Sequence, residues 1–326
     1  MKEKTELEVA RQPRRYSKSL LNINTILIFI TLIMLCVPAL AQDNATNYWN
    51  EKSDYWFKRG FQLSGSQSYE DALKAYDKAL RMNPENADAW SGKALALRHL
   101  SLSKHDLDKY SESLKASDKA VELYDRAIEA DPQDVNAMYY KGLAISDKAV
   151  TMQAAEKLNI DSDKQERIKY FEEAISAYDT AIEINPKYIT AWKNKGNILY
   201  SLGKYNDSIQ ACDKAIEIAP EYGLAWYSKG LALYKQDRYE EAAMAYDKAI
   251  ETFPENAGIW YNKGNALYGM GNYDDALECY ERALKLKPSF AKAWHGKGAA
   301  FEKIGFQIGA DAAFAKAEDL GYSAEA

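Results

Sequence analysis

The chain has 326 residues, 47% hydrophobic and 28% charged, enough for one repeat array or about two globular domains. Its formal net charge is -6, and because residues 1–41 carry six Lys or Arg against three Glu, the rest of the chain is acidic. An acidic body lacks the basic stripe that phosphate backbones require, which argues against a nucleic-acid partner.

Residues Ile26 to Ala41 form an uncharged apolar run, preceded by Lys2, Lys4, Arg11, Arg14, Arg15 and Lys18. As a helix this run covers about 24 Å, short of a hydrocarbon core of roughly 30 Å. Ala39-Leu40-Ala41 fits the small-x-small pattern of a signal peptidase site. Residues 1–41 therefore read either as a cleaved signal peptide or as a retained membrane anchor. In the second case membrane contact is confined to residues 20–41. On both readings the basic flank stays cytoplasmic and the acidic body is exported. Residues 42–52 form a linker.

From residue 53 onward a frame repeats. Trp192, Trp226, Trp260 and Trp294 stand 34 residues apart, each followed four residues later by Gly196, Gly230, Gly264 or Gly298. A small residue follows (Ser208, Ala242, Ala276, Ala310), then Cys212, Tyr246, Tyr280 or Phe314, then an alanine three residues on. Pro220, Pro254 and Pro288 close the first three units. An earlier copy runs through Trp56, Gly60, Ala72, Tyr76, Ala79 and Pro84. Two looser copies open at Trp90 and Met138 and close at Pro132 and Pro186. The units span about 53–86, 87–134, 135–188, 189–222, 223–256, 257–290 and 291–322.

This frame resembles the tetratricopeptide repeat, a 34-residue helix–turn–helix unit. The resemblance covers residues 53–322 and implies an all-α, right-handed α-α superhelix of seven repeats, each with a helix A and a helix B. Small residues at the Gly and Ala positions let the two helices approach. Trp and Tyr fill the space between them, and proline ends helix B because it cannot continue the hydrogen-bond ladder.

The second and third repeats are longer in the middle. Trp90 to Tyr124 spans 34 residues and Met138 to Tyr178 spans 40, where Trp226 to Tyr246 spans 20. Both should form long helical hairpins that project past the rim. The first should gain about two turns on each helix and bury Leu107, Tyr110, Leu114 and Val121. The second should be tipped by residues 158–163. In the seventh repeat Asp311 and Glu318 replace apolar residues of the earlier copies, as a polar end cap requires.

Catalytic, metal-binding and cofactor-binding constellations are not expected. His99, His105 and His295 are scattered, and no Gly-rich phosphate loop follows a strand pattern. Cys212 and Cys279, two repeats apart, read as small buried hydrophobes. The carboxylates read as i,i+4 partners of lysines on solvated faces.

The resemblance implies instead a groove lined by the A helices that accepts a protein or peptide. Carried over by position, it would be lined by Phe57, Phe61, Tyr139, Leu143, Lys193, Asn194, Asn197 and Tyr200. Tyr227, Leu231, Tyr234, Tyr261, Asn262, Asn265 and Tyr268 follow, then His295 and Glu302. An envelope glycan lying on the aromatic ladder is the alternative occupant, and an enzyme is a weaker one. Lys193 and Asn197 match the start of the family's carboxylate clamp, but Ser228, Gly258 and Asn262 depart from the remainder. That mode is not expected here. The array should be monomeric.

Overall fold

The computed structural model describes residues 47–155, 160 and 163–323. The expected signal or anchor, most of the linker and most of the expected 158–163 tip lie outside the described residues. Two compact units are present, Met1–Lys52 and Ser53–Ala326. In the first, residues 47–52 are helical, and the Trp49 ring sits edge-on to Tyr48 at 5.2 Å.

The second unit is entirely helical among its described residues. Helix α1 (residues 53–65) pairs with α2 (Tyr69–Met82), α3 (Ala87–Lys104) with α4 (Leu107–Ala130), and α5 (Val135–Ala154) with α6 (Lys164–Ile184). The remaining pairs are α7 (Ile189–Ser201) with α8 (Tyr205–Ile218), α9 (Gly223–Tyr234) with α10 (Tyr239–Thr252), α11 (Ala257–Gly269) with α12 (Tyr273–Leu286), and α13 (Ala291–Lys303) with α14 (Gln307–Asp319). Odd-numbered helices are the A helices. Each helix packs on its neighbours in sequence, and consecutive A helices from α3 to α13 also touch one another. The fold is thus an all-α repeat superhelix in which the A helices share a wall.

The reason these segments pair is visible in α12. Its buried residues Ala276, Leu277, Cys279, Tyr280, Ala283 and Leu284 form one helical stripe. Tyr76, Tyr178, Tyr246 and Tyr280 are at most 1% exposed, and each such side chain contributes roughly 1.5–3 kcal/mol on burial. They fit because the facing A helix has no side chain there. A Cβ on Gly264 would lie 2.7 Å from Tyr280 Cε1.

The tryptophans behave differently from the expectation. They are half-buried and lie over the turn entering their own repeat. From the second repeat onward each indole N–H donates to a proline carbonyl six residues earlier: Trp90 to Pro84, Trp226 to Pro220 and Trp260 to Pro254 at 2.8 Å, Trp294 to Pro288 at 2.9 Å, Trp192 to Pro186 at 3.0 Å. The ring therefore staples the inter-repeat turn, satisfying a carbonyl that proline's break in the helix leaves open.

The long hairpins form, with two differences. Extra length is divided unevenly: α3 has 18 residues and α4 has 24, against 13 and 14 in α7 and α8. Only His105, in the left-handed region at φ 51°, and Asp106 join them. The buried stripe of α4 is also polar and small ahead of Leu123 and Tyr124 (Ser113, Ala116, Ser117, Ala120), while Leu107 is 56% exposed. Small side chains permit close approach, and Ser113 Oγ donates to the Ala94 carbonyl at 2.8 Å. At the far end Asp311 and Glu318 are exposed, as a cap requires, and Phe314 is half-buried against His295 at 5.2 Å.

Candidate functional site

The A-helix wall is built on one recurring contact. In repeats one, three, five and six the residue after the tryptophan position leans on the aromatic of helix B in the same repeat. Ring centroids are 6.2 Å apart for Phe57–Tyr76, 5.8 Å for Tyr139–Tyr178, 6.1 Å for Tyr227–Tyr246 and 6.0 Å for Tyr261–Tyr280. These separations suit tilted aromatic pairs. In the fourth repeat both partners change at once, to Lys193 and Cys212. Two rings are lost, and a cleft of about 350 Å³ lies beside Lys193, lined also by Asn197, Tyr200, Leu224, Tyr227 and Leu231.

Lys193 has no carboxylate partner among the described residues; its amine donates to Asn194 Oδ1 at 2.6 Å. Burial holds the amine below the usual lysine range. Burial likewise pushes the Cys212 thiol up to about 12, so it stays a neutral thiol rather than a nucleophilic thiolate. Cys279 is raised to about 11, again chiefly by burial. Both cysteines are free and buried.

The other residues expected in the groove divide into two groups. Asn194 and Asn262 bind across repeats: their side-chain amides donate to Tyr139 OH and Tyr227 OH, each at 3.0 Å. Asn265 accepts from Tyr280 OH at 2.8 Å. These amides brace the wall with part of the capacity a peptide would use. Asn197 and Phe61 are exposed. Tyr200, Tyr234 and Tyr268 end their A helices in ring pairs with Tyr205, Tyr239 and Tyr273 at 5.6, 5.4 and 5.2 Å, making a second aromatic row along one edge.

Charge is arranged in a way the sequence reading missed. A lysine three residues after each tryptophan position reaches back to the acid beside the preceding repeat's helix-B aromatic. The bridges Lys93–Asp77, Lys195–Asp179, Lys229–Asp213, Lys263–Asp247 and Lys297–Glu281 measure 2.5–2.8 Å. Lys141–Asp125 completes the series at 2.5 Å. The signal was legible as Lys at a fixed offset in every unit from the second. Other surface pairs are mostly at i,i+3, as in Lys74–Asp71 and Lys248–Glu251, rather than the expected i,i+4. His99 stacks on Tyr69 at 4.2 Å, and burial lowers its pKa. No cluster of three or more His, Cys, Asp or Glu able to hold a metal occurs among the described residues.

Comparison with known proteins supports the repeat assignment. Residues 189–222 and 257–290 match one tetratricopeptide-repeat model, 63–119 and 116–147 match a second, and 230–271 match a TPR-repeat model. Residues 171–202 match the protein prenyltransferase alpha subunit repeat. A stretch of 50 residues is 42% identical to an uncharacterized protein of Methanocaldococcus jannaschii; it spans 15% of this chain and 58% of that one.

Among solved structures, a tetratricopeptide repeat protein from Parabacteroides merdae is 16% identical, covers 84% of this chain and 95% of its own, and has a TM-score of 0.50. YrrB, a TPR protein with an unusual peptide-binding site, is 21% identical over 62% of this chain and 93% of its own, also at 0.50. MamA is 28% identical over 48% of this chain and 92% of its own, at 0.46. Recurring landmarks, paired helices and the family-model matches together make this a chain of tetratricopeptide repeats.

Proposed function

We propose that the chain is a non-catalytic, extracytoplasmic scaffold that holds a segment of a partner protein along its A-helix wall. The observation that carries this reading is the interruption at the fourth repeat. Repeats one, three, five and six close the wall with their own ring pairs. At Lys193 and Cys212 it opens into a cleft that brings together Lys193, Asn197, Tyr200 and Tyr227. A desolvated amine without a carboxylate partner favours a ligand that supplies hydrogen-bond acceptors. The neighbouring tyrosines offer stiff, amphipathic contact. Export rests on the basic–apolar order of residues 1–41. Retention as an anchor would keep the scaffold at the membrane surface, where a monomer would act as a tethered arm.

The test is crosslinking mass spectrometry on intact cells, comparing wild type with an Asn197→Arg/Tyr200→Ala variant. Neither residue is fully buried, so circular dichroism should show an unchanged helical content. Loss of specific protein crosslinks to the α7–α9 region is the expected result. An identical crosslink set in wild type and variant overturns the assignment. The edge row of ring pairs favours a second reading, an envelope glycan. Retention on isolated glycan that survives removal of proteins would establish that reading in place of the first.

A further inference from the structure

A second type of groove recurs on the opposite side of the array, between helix B of one repeat and both helices of the next. One lies beside Met138, one beside Trp192 and one beside Trp260. Their floors match position for position: Met138, Lys141 and Ile145 in the first correspond to Trp192, Lys195 and Leu199, and to Trp260, Lys263 and Leu267. The third differs on its rim. Two residues before the helix-B aromatic, other repeats carry Lys74, Glu122, Ser176, Gln210, Glu278 and Ala312. The fifth repeat carries Met244, which is 65% exposed. Met270, 39% exposed, lines the same groove, a cleft of about 490 Å³.

An exposed methionine where the other repeats carry polar or small side chains gains nothing for the fold. Methionine is flexible and polarizable, and it serves surfaces that adapt to an apolar partner. Around these two stand Glu240, Asp275 and Glu278. None of the three makes an ion pair among the described residues, whereas Asp247 is neutralised by Lys263 at 2.6 Å. Arg282 is the one unpaired cation in the groove. The local field is therefore negative.

We propose that the α10–α12 groove is a second docking surface, whose occupant is a short amphipathic basic segment of another protein, with apolar residues on Met244 and Met270 and lysine or arginine against Glu240, Asp275 and Glu278. The Met138 and Trp192 grooves share the floor but lack counterparts of Met244 and Met270 on the rim, and take no such segment.

The probe is a fluorescein-labelled 14-residue peptide of leucine and lysine with leucine at i, i+3, i+4 and i+7, titrated with the full-length chain and read by anisotropy. Met244→Gln/Met270→Gln should raise Kd about tenfold with little change in its salt dependence. Glu240→Gln/Asp275→Asn/Glu278→Gln should raise it about tenfold and flatten the salt dependence. Arg282→Gln should tighten binding about threefold. A matched neutralisation elsewhere, Glu112→Gln/Glu129→Gln/Glu183→Gln, should leave Kd within twofold. The proposal is overturned if that control weakens binding as much as the groove triple, if the methionine variant binds like wild type, or if a leucine–glutamate peptide binds equally well.

Discussion

The long hairpins of repeats two and three and the regular repeats five and six have the same ends but hold their helices together by different means. In repeats five and six the A–B contact is apolar: a tyrosine ring fills the space left by a facing glycine, flanked by alanines at or near 0% exposure. In the hairpins it is partly polar. Ser113 bonds to a backbone carbonyl, Lys148 Nζ reaches Asp118 at 2.5 Å and Tyr170 OH at 2.8 Å, and Arg98 bridges to Asp147 at 3.1 Å. Lys148 ties α5 to α4 and α6, and Arg98 ties α3 to α5, so the hairpins are locked to each other as well as within themselves. The extended helices thus carry polar cross-links, two of which run to the neighbouring repeat. Polar bonds suit this role because each is complete within the two or three side chains that make it.

The contrast can be broken most forcefully in the apolar region. Gly264→Val places a branched side chain against Tyr280, and overpacking of this kind costs about 3 kcal/mol. Urea unfolding followed by circular dichroism should show a lowered midpoint, with repeats five to seven exchanging amide hydrogens before repeats two and three. Serine then sharpens the comparison, because the same residue serves opposite ends in the two regions. Ser113→Ala removes a satisfied buried bond and should cost about 1 kcal/mol. Ser208, in the fourth repeat, has a buried hydroxyl with no hydrogen-bond partner, where other repeats carry alanine. Ser208→Ala should therefore stabilise, by up to about 1 kcal/mol, in the same measurement.

Lys193 gives a smaller, pH-dependent effect. Its folded pKa lies below the unfolded one because burial disfavours the charge. The resulting cost to stability is fully present below the folded pKa and disappears as pH rises past the unfolded value near 10.4. Lys193→Met should raise the thermal midpoint at pH 7, and its advantage over wild type should shrink towards pH 10. An advantage constant with pH would mean that burial of charge is not its cause. Smallest of all, Trp260→Phe deletes the donor to the Pro254 carbonyl at an exposed turn, and should cost a few tenths of a kcal/mol because water replaces the bond.

Much of this architecture could be read from the order of residues. Trp, Gly, Ala, Tyr and Pro at fixed offsets encode the pairing, since each is chosen by a steric need that recurs at every copy. The hairpins were legible from spacing alone. What escaped was whatever depends on two positions at once. Towards its N-terminal half the buried stripe of α4 is serine and alanine, so a search for apolar residues included Leu107, which faces solvent, beside the half-buried Tyr110, Leu114 and Val121. The lysine ladder joins residues in different repeats. The expected groove residues lie on A helices, but position alone could not tell that Asn194 and Asn262 already hold neighbouring tyrosines. The paired exchange to Lys193 and Cys212 was present in the alignment of repeats, at two sites that each seemed a tolerable variation.

The inter-repeat rungs have a mechanical consequence. Every lysine–acid bridge and every indole–carbonyl staple spans one junction and no more, so tension applied along the array is borne by the junctions in series. Such a chain lengthens by yielding one link at a time. Pulled between a fixed end and a moving cargo, it would act as a compliant spring with graded give, and relaxing the load would let each link close again on its own.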